Sequence, residues 1–138
     1  NLITNVTNED WGAVGIGAGY VSDLKIINNE INEVNYSGIS MGWGWTKTPN
    51  VMKNNLISGN KIHHYGKKMY DVAGIYTLSA QPGSQIVNNA IFDIYDATYA
   101  HLPDHFGDLA LGRTCLKGMA NGNLDLGIGL RAQNRQGR

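Results

Sequence analysis

The feature that most constrains the fold of this chain is a triplet, Asn-x-Ile, that returns about once every 30 residues. Its four copies begin at Asn1, Asn29, Asn60 and Asn89, so successive copies lie 28, 31 and 29 residues apart. Self-similarity at such a period is typical of solenoid proteins, in which each repeat is one structural unit stacked on the next. The triplet therefore predicts a repeating architecture.

Each triplet is followed by a short run that begins with glycine. These runs are Gly15-Ile16, Gly38-Ile39-Ser40-Met41, Gly74-Ile75-Tyr76-Thr77 and, less clearly, Gly107-Asp108-Leu109-Ala110. They are short and rich in β-branched residues, and no 3.6-residue period is sustained, which favours strands over helices. The pattern predicts an all-β parallel β-helix of about four coils.

In a parallel β-helix, equivalent residues of successive coils lie about 4.8 Å apart, the spacing of neighbouring strands. The isoleucines of the triplet are then expected to form an internal column. The asparagines at the turns are expected to hydrogen-bond to their counterparts one coil above and below, as in the ladders of stacked β structures.

A shift in composition divides the chain. All of the Trp, Tyr and Phe residues lie in 1–107, whereas all four Arg residues lie after position 112. Such a shift predicts a boundary. We expect a β-helix segment at 1–107 and an atypical, non-repeating tail at 108–138, which is either a frame-shifted reading or disordered.

Charge and cysteine content exclude several classes of protein. The chain has 11 basic and 11 acidic residues, so nothing favours nucleic acid or an anionic membrane as a partner. No apolar run is long enough to span a bilayer. The single Cys115 excludes an internal disulfide framework. We expect the chain to be a fragment of a longer protein and to carry no signal peptide of its own; no cofactor is expected, and the oligomeric state stays unknown.

One position in the repeat is occupied by Asn or Asp. Asn35, Asp71 and Asp104 each lie three residues before the glycine of a strand, so they are expected to form a surface column. Two carboxylates about 5 Å apart repel, which raises the pKa of one of them. Such a pair can cleave a glycosidic bond. Alternatively, Asp71 and Asp104 are turn residues that bond to their own backbone.

Aromatic and imidazole side chains lie near these acids in the sequence. Trp43 and Trp45 offer flat faces for sugar rings, or they form a hydrophobic plug on the solenoid. Tyr76 is expected to face outward from its strand. His63 and His64 belong to the coil that contains Asp71, where an imidazole could orient a hydroxyl or tune the acid, or be structural.

Two further segments have ambiguous chemistry. Lys67 and Lys68 could hold an acidic sugar or act as the base of a lyase, or they lie in a solvated loop. The run His101-Leu102-Pro103-Asp104-His105 has the composition of a metal site, but Pro103 argues against a helix that presents both histidines on one face. We predict no metal, and we assign His105 to substrate binding.

Two motifs resemble a known family. Tyr36-Ser37-Gly38-Ile39-Ser40-Met41-Gly42-Trp43-Gly44-Trp45 and Asp71-Val72-Ala73-Gly74-Ile75-Tyr76-Thr77-Leu78 are similar to right-handed β-helix enzymes of the pectate-lyase-like superfamily, and most of all to glycoside hydrolase family 141. The resemblance covers about residues 20–107. That family includes α-L-fucosidases and xylanases.

The resemblance implies an extracytoplasmic enzyme, secreted or periplasmic, that hydrolyses plant or algal polysaccharide. It implies that Asp71 is a catalytic carboxylate. Two departures stand out: Ala73 replaces a usual glycine, and the family's second carboxylate, expected a few residues beyond Gly107, is absent from 108–113. Asp104 is the remaining candidate partner. Two alternatives stay open, a polysaccharide lyase and a β-helix that binds carbohydrate or is structural without catalysis.

Overall fold

The computed structural model describes residues 1–69 and 71–95, and it adds two strand segments at 116–118 and 124–125. Every regular element in this part of the chain is a β-strand. In chain order the strands are β1 (Leu2–Thr4), β2 (Ile16–Ala18), β3 (Lys25–Ile27), β4 (Glu30–Asn32), β5 (Ile39–Met41), β6 (Leu56–Ser58), β7 (Lys61–Tyr65), β8 (Ile75–Thr77), β9 (Ser84–Val87), β10 (Ala90–Ile94), β11 (Leu116–Gly118) and β12 (Leu124–Asp125).

The strands form three parallel sheets, and each sheet takes every third strand of the chain. Sheet I has the order β1-β4-β7-β10, sheet II has β2-β5-β8-β11, and sheet III has β3-β6-β9-β12. Consecutive strands thus lie in different sheets, and the chain returns to sheet I after three complete turns from β1 to β10. The predicted parallel β-helix is confirmed.

Isoleucine columns fill the interior, as the repeat predicted. In sheet I, Ile31 is in register with Ile62, and Ile62 with Ile91; all three are at most 1% exposed. Sheet II adds the pair Ile39 and Ile75, both fully buried. Sheet III contributes the register positions Ile26, Ile57 and Ile86. Burying such side chains is the main force that holds the coils together.

The asparagines that precede these isoleucines form the expected ladder. The side-chain amide of Asn29 donates to Oδ1 of Asn60 at 3.0 Å, and that of Asn60 donates to Oδ1 of Asn89 at 2.9 Å. The same oxygens accept the backbone N–H of the coil before. All three side chains are buried, and a buried polar group must find such partners to be tolerated.

A left-handed residue in each coil bends the chain near the end of the sheet I strands. The four equivalent positions all have φ between 50° and 55°: Asn5, Glu33, His64 and Asp93. Asn and Asp adopt this conformation more readily than most residues, because their short polar side chains bond locally. The repetition of one backbone state shows that this corner is copied from coil to coil, which positions His64 at it.

The coils differ mainly in two loops beside sheet II. The segment 42–55, between β5 and β6, is more than twice as long as the equivalent segments 19–24 and 78–83. On the other side, the chain between the matched residues Asn32 and Ile39 is shorter than that between His63 and Ile75. The first loop follows a strand of sheet II and the second precedes one, so the two loops lie at opposite ends of these parallel strands.

The fourth strand of sheet II differs from the expected one. The segment that pairs with β8 is Leu116–Gly118, rather than the run that begins at Gly107, which lies outside the described residues. Similarly, Leu124–Asp125 pairs with β9. Both segments belong to the region 108–138, so two short pieces of it continue the sheets. The rest of that region lies outside the described residues, and its interpretation as frame-shifted or disordered stays a prediction.

None of the described residues forms a helix with the length and hydropathy of a membrane span.

Candidate functional site

The outer face of sheet II carries the predicted outward-facing residues. Ile39 and Ile75 are buried, and the next residues along the strands, Ser40 and Tyr76, are partly exposed. Ser40 and Tyr76 are in register on adjacent strands, so their side chains stand side by side. Tyr76 therefore lies on the surface between the two long loops that border the sheet.

The loop after β5 presents the two tryptophans to solvent. Trp43 is 61% exposed and Trp45 is 66% exposed, and their ring centroids lie 6.3 Å apart with a 53° angle between the planes. This exposure disfavours the alternative of a hydrophobic plug that packs on the solenoid. Two exposed rings at this separation form a faceted apolar surface, which is suited to contact with the C–H faces of a carbohydrate.

Hydrogen bonds from the following coil hold this loop in place. The Ser79 hydroxyl oxygen lies 2.9 Å from the carbonyl oxygen of Trp43 and 2.8 Å from that of Gly44, so its single hydrogen is shared between the two carbonyls. The Gln81 amide donates to the carbonyls of Met41 and Leu78, both at 3.0 Å. The exposed rings thus extend from a backbone that the buried side chains of the next coil fix.

Asp71 lies at the other end of the sheet II strands from the tryptophans. It is exposed, its φ is 60°, and it precedes β8, whereas Trp43 follows β5. Because β5 and β8 are parallel, the residue before one strand and the residue after the other lie at opposite ends of the sheet. A three-residue strand is about 10 Å long, so Asp71 and the tryptophans border the face from two sides, with Tyr76 between them.

The predicted column of Asn35 and Asp71 is wrong. Asn35 is only 1% exposed, and its side-chain amide donates to the carbonyl of Thr7 at 2.8 Å in the coil before. Asp71, in contrast, is exposed. Counting back three residues from the glycine failed because the loop before β8 is longer than the loop before β5. The Asn35 carbonyl accepts from the backbone N–H groups of Lys68 and Met69, so Asn35 lies beside these residues of the next coil.

The longer loop also brings together two residues that the sequence did not connect. Lys68 lies over the ring of Trp11, with 4.1 Å between the ammonium nitrogen and the ring centroid. Trp11 is half exposed, in the long loop between β1 and β2. The short loop of the coil between them leaves room for this cation–π contact. No local sequence signal reveals it, because the two residues are 57 positions apart.

His63 and His64 belong to another surface. They lie in β7 of sheet I, where the partners are Glu30, Phe92 and Tyr95. The Nδ1 atoms of the two rings are 2.7 Å apart, and Nε2 of His63 is 3.1 Å from Oε1 of Glu30. The hydrogen bond from Lys61, followed by that from His63, holds the pKa of Glu30 below its usual value. These contacts tie both histidines to sheet I; none of them involves Asp71.

Next to this pair, Glu33 joins two groups. Its carboxylate lies 2.9 Å from Nζ of Lys67 and accepts a hydrogen bond from the Tyr95 hydroxyl at 3.1 Å. The hydrogen bond from Lys67 is the main reason why the pKa of Glu33 lies below its usual value. Burial, and then this carboxylate, raises the pKa of Tyr95. Lys67 is therefore engaged in an ion pair.

Several predicted groups cannot be placed. Asp104 and His105 lie outside the described residues, as does His101. Among the residues that the structure does describe, no group of three or more His, Cys, Asp and Glu side chains is arranged around a common point where a metal could bind.

Fold and sequence together define the class of this protein. The family described as "Right handed beta helix region" matches residues 1–105, which is most of the chain, and the three parallel sheets have the corresponding topology. The chain belongs to this right-handed β-helix family.

Comparison with individual proteins gives a narrower result. A search among curated proteins found no match. A solved structure named "Glycoside hydrolase" is 57% identical to this chain, with a TM-score of 0.70. The match covers 74% of this chain and 17% of that one. The chain thus corresponds to about a sixth of that protein, and it is similar to a segment of a carbohydrate-active β-helix protein.

Proposed function

We propose that this chain is a segment of a glycoside hydrolase that cleaves plant or algal polysaccharide, of the xylan or fucoside class, with a pair of carboxylates. The observation that carries the proposal is the 57% identity, over 74% of this chain, to a structure named as a glycoside hydrolase. A polymeric substrate of this kind is consistent with an extracytoplasmic location, secreted or periplasmic.

In this proposal the outer face of sheet II binds the sugar chain. Trp43 and Trp45 stack on sugar rings at one edge, Tyr76 lies under the middle of the substrate, and Asp71 acts at the other edge. Because about 10 Å of strand separates the tryptophans from Asp71, a substrate of several sugar units is needed to contact both. This geometry favours a polymer over a single sugar.

Asp71 supplies one of the two carboxylates, and Asp104, which lies outside the described residues, is the proposed partner. A separation near 5 Å would give a nucleophile and an acid and retain the anomeric configuration, whereas roughly 6.5–9.5 Å would leave room for a water and invert it. In such a pair, the negative charge of one carboxylate favours the protonated form of the other.

A chimera tests the catalytic role of Asp71. The segment of the similar glycoside hydrolase that matches this chain is replaced by this chain's sequence, and hydrolysis of xylan and aryl fucosides is measured. Asp71→Asn should lower kcat by at least about 100-fold, the usual contribution of an acid or base. Unchanged kcat in a folded Asp71→Asn chimera contradicts the proposal.

Asp93→Asn is the matched control. Asp93 is also exposed and also has a positive φ, 50° against 60° for Asp71, so Asn imposes the same backbone demand at both positions. It lies on sheet I, away from the proposed sugar face. Only the Asp71 variant should lose hydrolysis.

A second candidate is a β-helix that binds carbohydrate without cleaving it. The observation that favours it is the exposed tryptophan pair on a loop that Ser79 fixes. Saturable quenching of tryptophan fluorescence by xylo-oligosaccharides, with no hydrolysis by the chimera, would select this function. A lyase is less well supported, because Lys67 is paired with Glu33 and Lys68 lies over Trp11.

A further inference from the structure

We propose that His63 and His64 form a two-histidine chelate for a divalent transition-metal ion on the outer face of sheet I. Their Nδ1 atoms lie 2.7 Å apart. Two imidazole nitrogens that bind one ion at about 2.0–2.1 Å, at right angles to each other, are separated by roughly 2.8–3.0 Å. The two atoms already stand close to the separation that neighbouring ligands of one ion require.

Glu30 sets His63 in the tautomer that metal binding needs. Lys61 donates to Oε1 of Glu30 at 2.8 Å, an ion pair in which the carboxylate oxygens accept hydrogen bonds and donate none. The Nε2 atom of His63, 3.1 Å away, must therefore carry the proton. That leaves Nδ1 of His63 with a free lone pair, the carboxylate–histidine arrangement found behind metal-binding histidines.

Neighbouring rings hold both imidazoles in position. Phe92 stacks on His63 with 5.0 Å between ring centroids and 7° between planes, and Tyr95 meets His64 edge-on at 5.7 Å. The left-handed backbone at His64 directs two consecutive side chains to one side of the sheet. The rings need little rearrangement before an ion binds, which lowers the free energy lost on binding.

The proton balance is simple. Without metal, Nδ1–H of His64 donates to the lone pair of His63. On binding, that proton moves to Nε2 of His64 through water, and both Nδ1 lone pairs coordinate the ion, so the charge of the protein is unchanged. Water completes the coordination. Imidazole ligands select Zn²⁺, Ni²⁺ and Cu²⁺ over Mg²⁺ and Ca²⁺.

The primary test is calorimetric titration of the full chain with Ni²⁺ and Zn²⁺, with Mg²⁺ as the negative probe. One Ni²⁺ per chain should bind at the pair, and Mg²⁺ should not. His64→Asn should weaken binding at least about 10-fold, since chelation is lost. Asn suits the positive φ at this position, as Asn5 does in the first coil. Glu30→Gln should weaken it about 10- to 100-fold while keeping both ligands.

The other two histidines of the chain provide the competing site. The double variant His101→Asn, His105→Asn should bind Ni²⁺ as the unmodified chain does. If Ni²⁺ fails to bind, or if this double variant loses binding while His64→Asn keeps it, the proposal is overturned. Should His64→Asn alter folding, as judged by circular dichroism, paramagnetic broadening in the unmodified chain decides. Broadening of the His63 and His64 ring protons supports the chelate, and its absence refutes it. Neither result bears on hydrolysis at sheet II.

Discussion

Gly38 lies directly under the side chain of Ile62. A Cβ atom added at Gly38 would stand 2.5 Å from Cγ2 of Ile62, in the next coil, and 2.8 Å from the carbonyl oxygen of Gly74. The same relationship links Gly15 with Ile31 and Gly74 with Ile91. The glycine that precedes each of β2, β5 and β8 is therefore required by the isoleucine of the triplet one coil later, so the two halves of the repeat depend on each other.

Gly38→Ala should consequently destabilise the solenoid. The added methyl overlaps an isoleucine and a backbone oxygen, and overpacking of this kind typically costs about 1–3 kcal/mol. Urea unfolding followed by tryptophan fluorescence measures the change. The control is Gly19→Ala, since a Cβ at Gly19 meets nothing within 4 Å, and this variant should stay within about 0.5 kcal/mol of the unmodified chain.

A double-mutant cycle identifies the cause. Ile62→Ala removes the atom that the new methyl would overlap, so Gly38→Ala should cost less in that background, with a coupling energy of about 0.5–3 kcal/mol. The contact with the Gly74 oxygen remains and should keep part of the penalty. Strictly additive effects would show that the two residues do not compete for this space.

Asn60 should be the most sensitive position of the asparagine ladder. It accepts from the side chain of Asn29 and donates to that of Asn89, and its amide also donates to the carbonyl of Ile26 at 2.9 Å. Asn60→Ala leaves several buried groups without partners, each of which costs about 1–3 kcal/mol. We expect a loss of at least about 3 kcal/mol in urea unfolding.

Asn1→Ala serves as the comparison for Asn60→Ala. Asn1 is exposed and its side chain donates one bond, to Asn29 at 2.9 Å. Its removal should cost less than about 1 kcal/mol, because water can replace the lost partner. Equal losses at the two positions would contradict a ladder whose strength comes from burial.

The fold could be predicted from the sequence because its cause is periodic. Ile31, Ile62 and Ile91 are equivalent in space, and so are the asparagines two positions before them, which makes the spacing visible in the sequence. The handedness of the solenoid rested on resemblance. The fourth strand of sheet II escaped prediction, since Leu116–Gly118 lacks the glycine-led pattern of the others.

The candidate site was harder to predict because loops are not periodic. The extra residues before β8 separate Asn35 from Asp71, although both precede a glycine by three positions. His63 was grouped with Asp71 by coil, but His63 lies in β7 of sheet I, whereas Asp71 precedes β8 of sheet II. Residues of one coil share a height along the solenoid axis, but membership of a coil does not determine on which sheet a residue lies.

Low pH should remove the contribution of Glu33 to the stability of the folded state. Its pKa lies below the usual 4.5 because the folded state favours the ionised form. A carboxyl with a lowered folded pKa adds stability above its unfolded pKa, and this stability is lost as the pH falls through the folded pKa. Glu33→Gln should thus lower the thermal midpoint at pH 7, and the difference should shrink as the pH falls below 4.5 and through the folded pKa of Glu33. A difference that is independent of pH would show that charge plays no part.

Substitutions of Ser79 can change the orientation of the tryptophans without changing the free energy of unfolding. Ser79 has a φ of 60°, a conformation that glycine adopts at no steric cost, and its hydroxyl holds the carbonyls of Trp43 and Gly44. Ser79→Gly loses these hydrogen bonds but relieves backbone strain of about 1 kcal/mol, so the free energy of unfolding should change little. Ser79→Ala loses the same bonds without this relief and should cost about 1–2 kcal/mol.

Both variants should release the loop that carries Trp43 and Trp45. Because the two rings are more than half exposed, their mutual geometry depends mainly on the loop backbone, which Ser79 holds together with Gln81. The near-ultraviolet circular dichroism of the tryptophans should fall in both variants, and the affinity for xylo-oligosaccharides, measured by fluorescence quenching, should fall about 10-fold. Stability and affinity would then change independently in Ser79→Gly. If that variant keeps full affinity, the anchor does not orient the rings for binding, and sugar contacts themselves must order the loop.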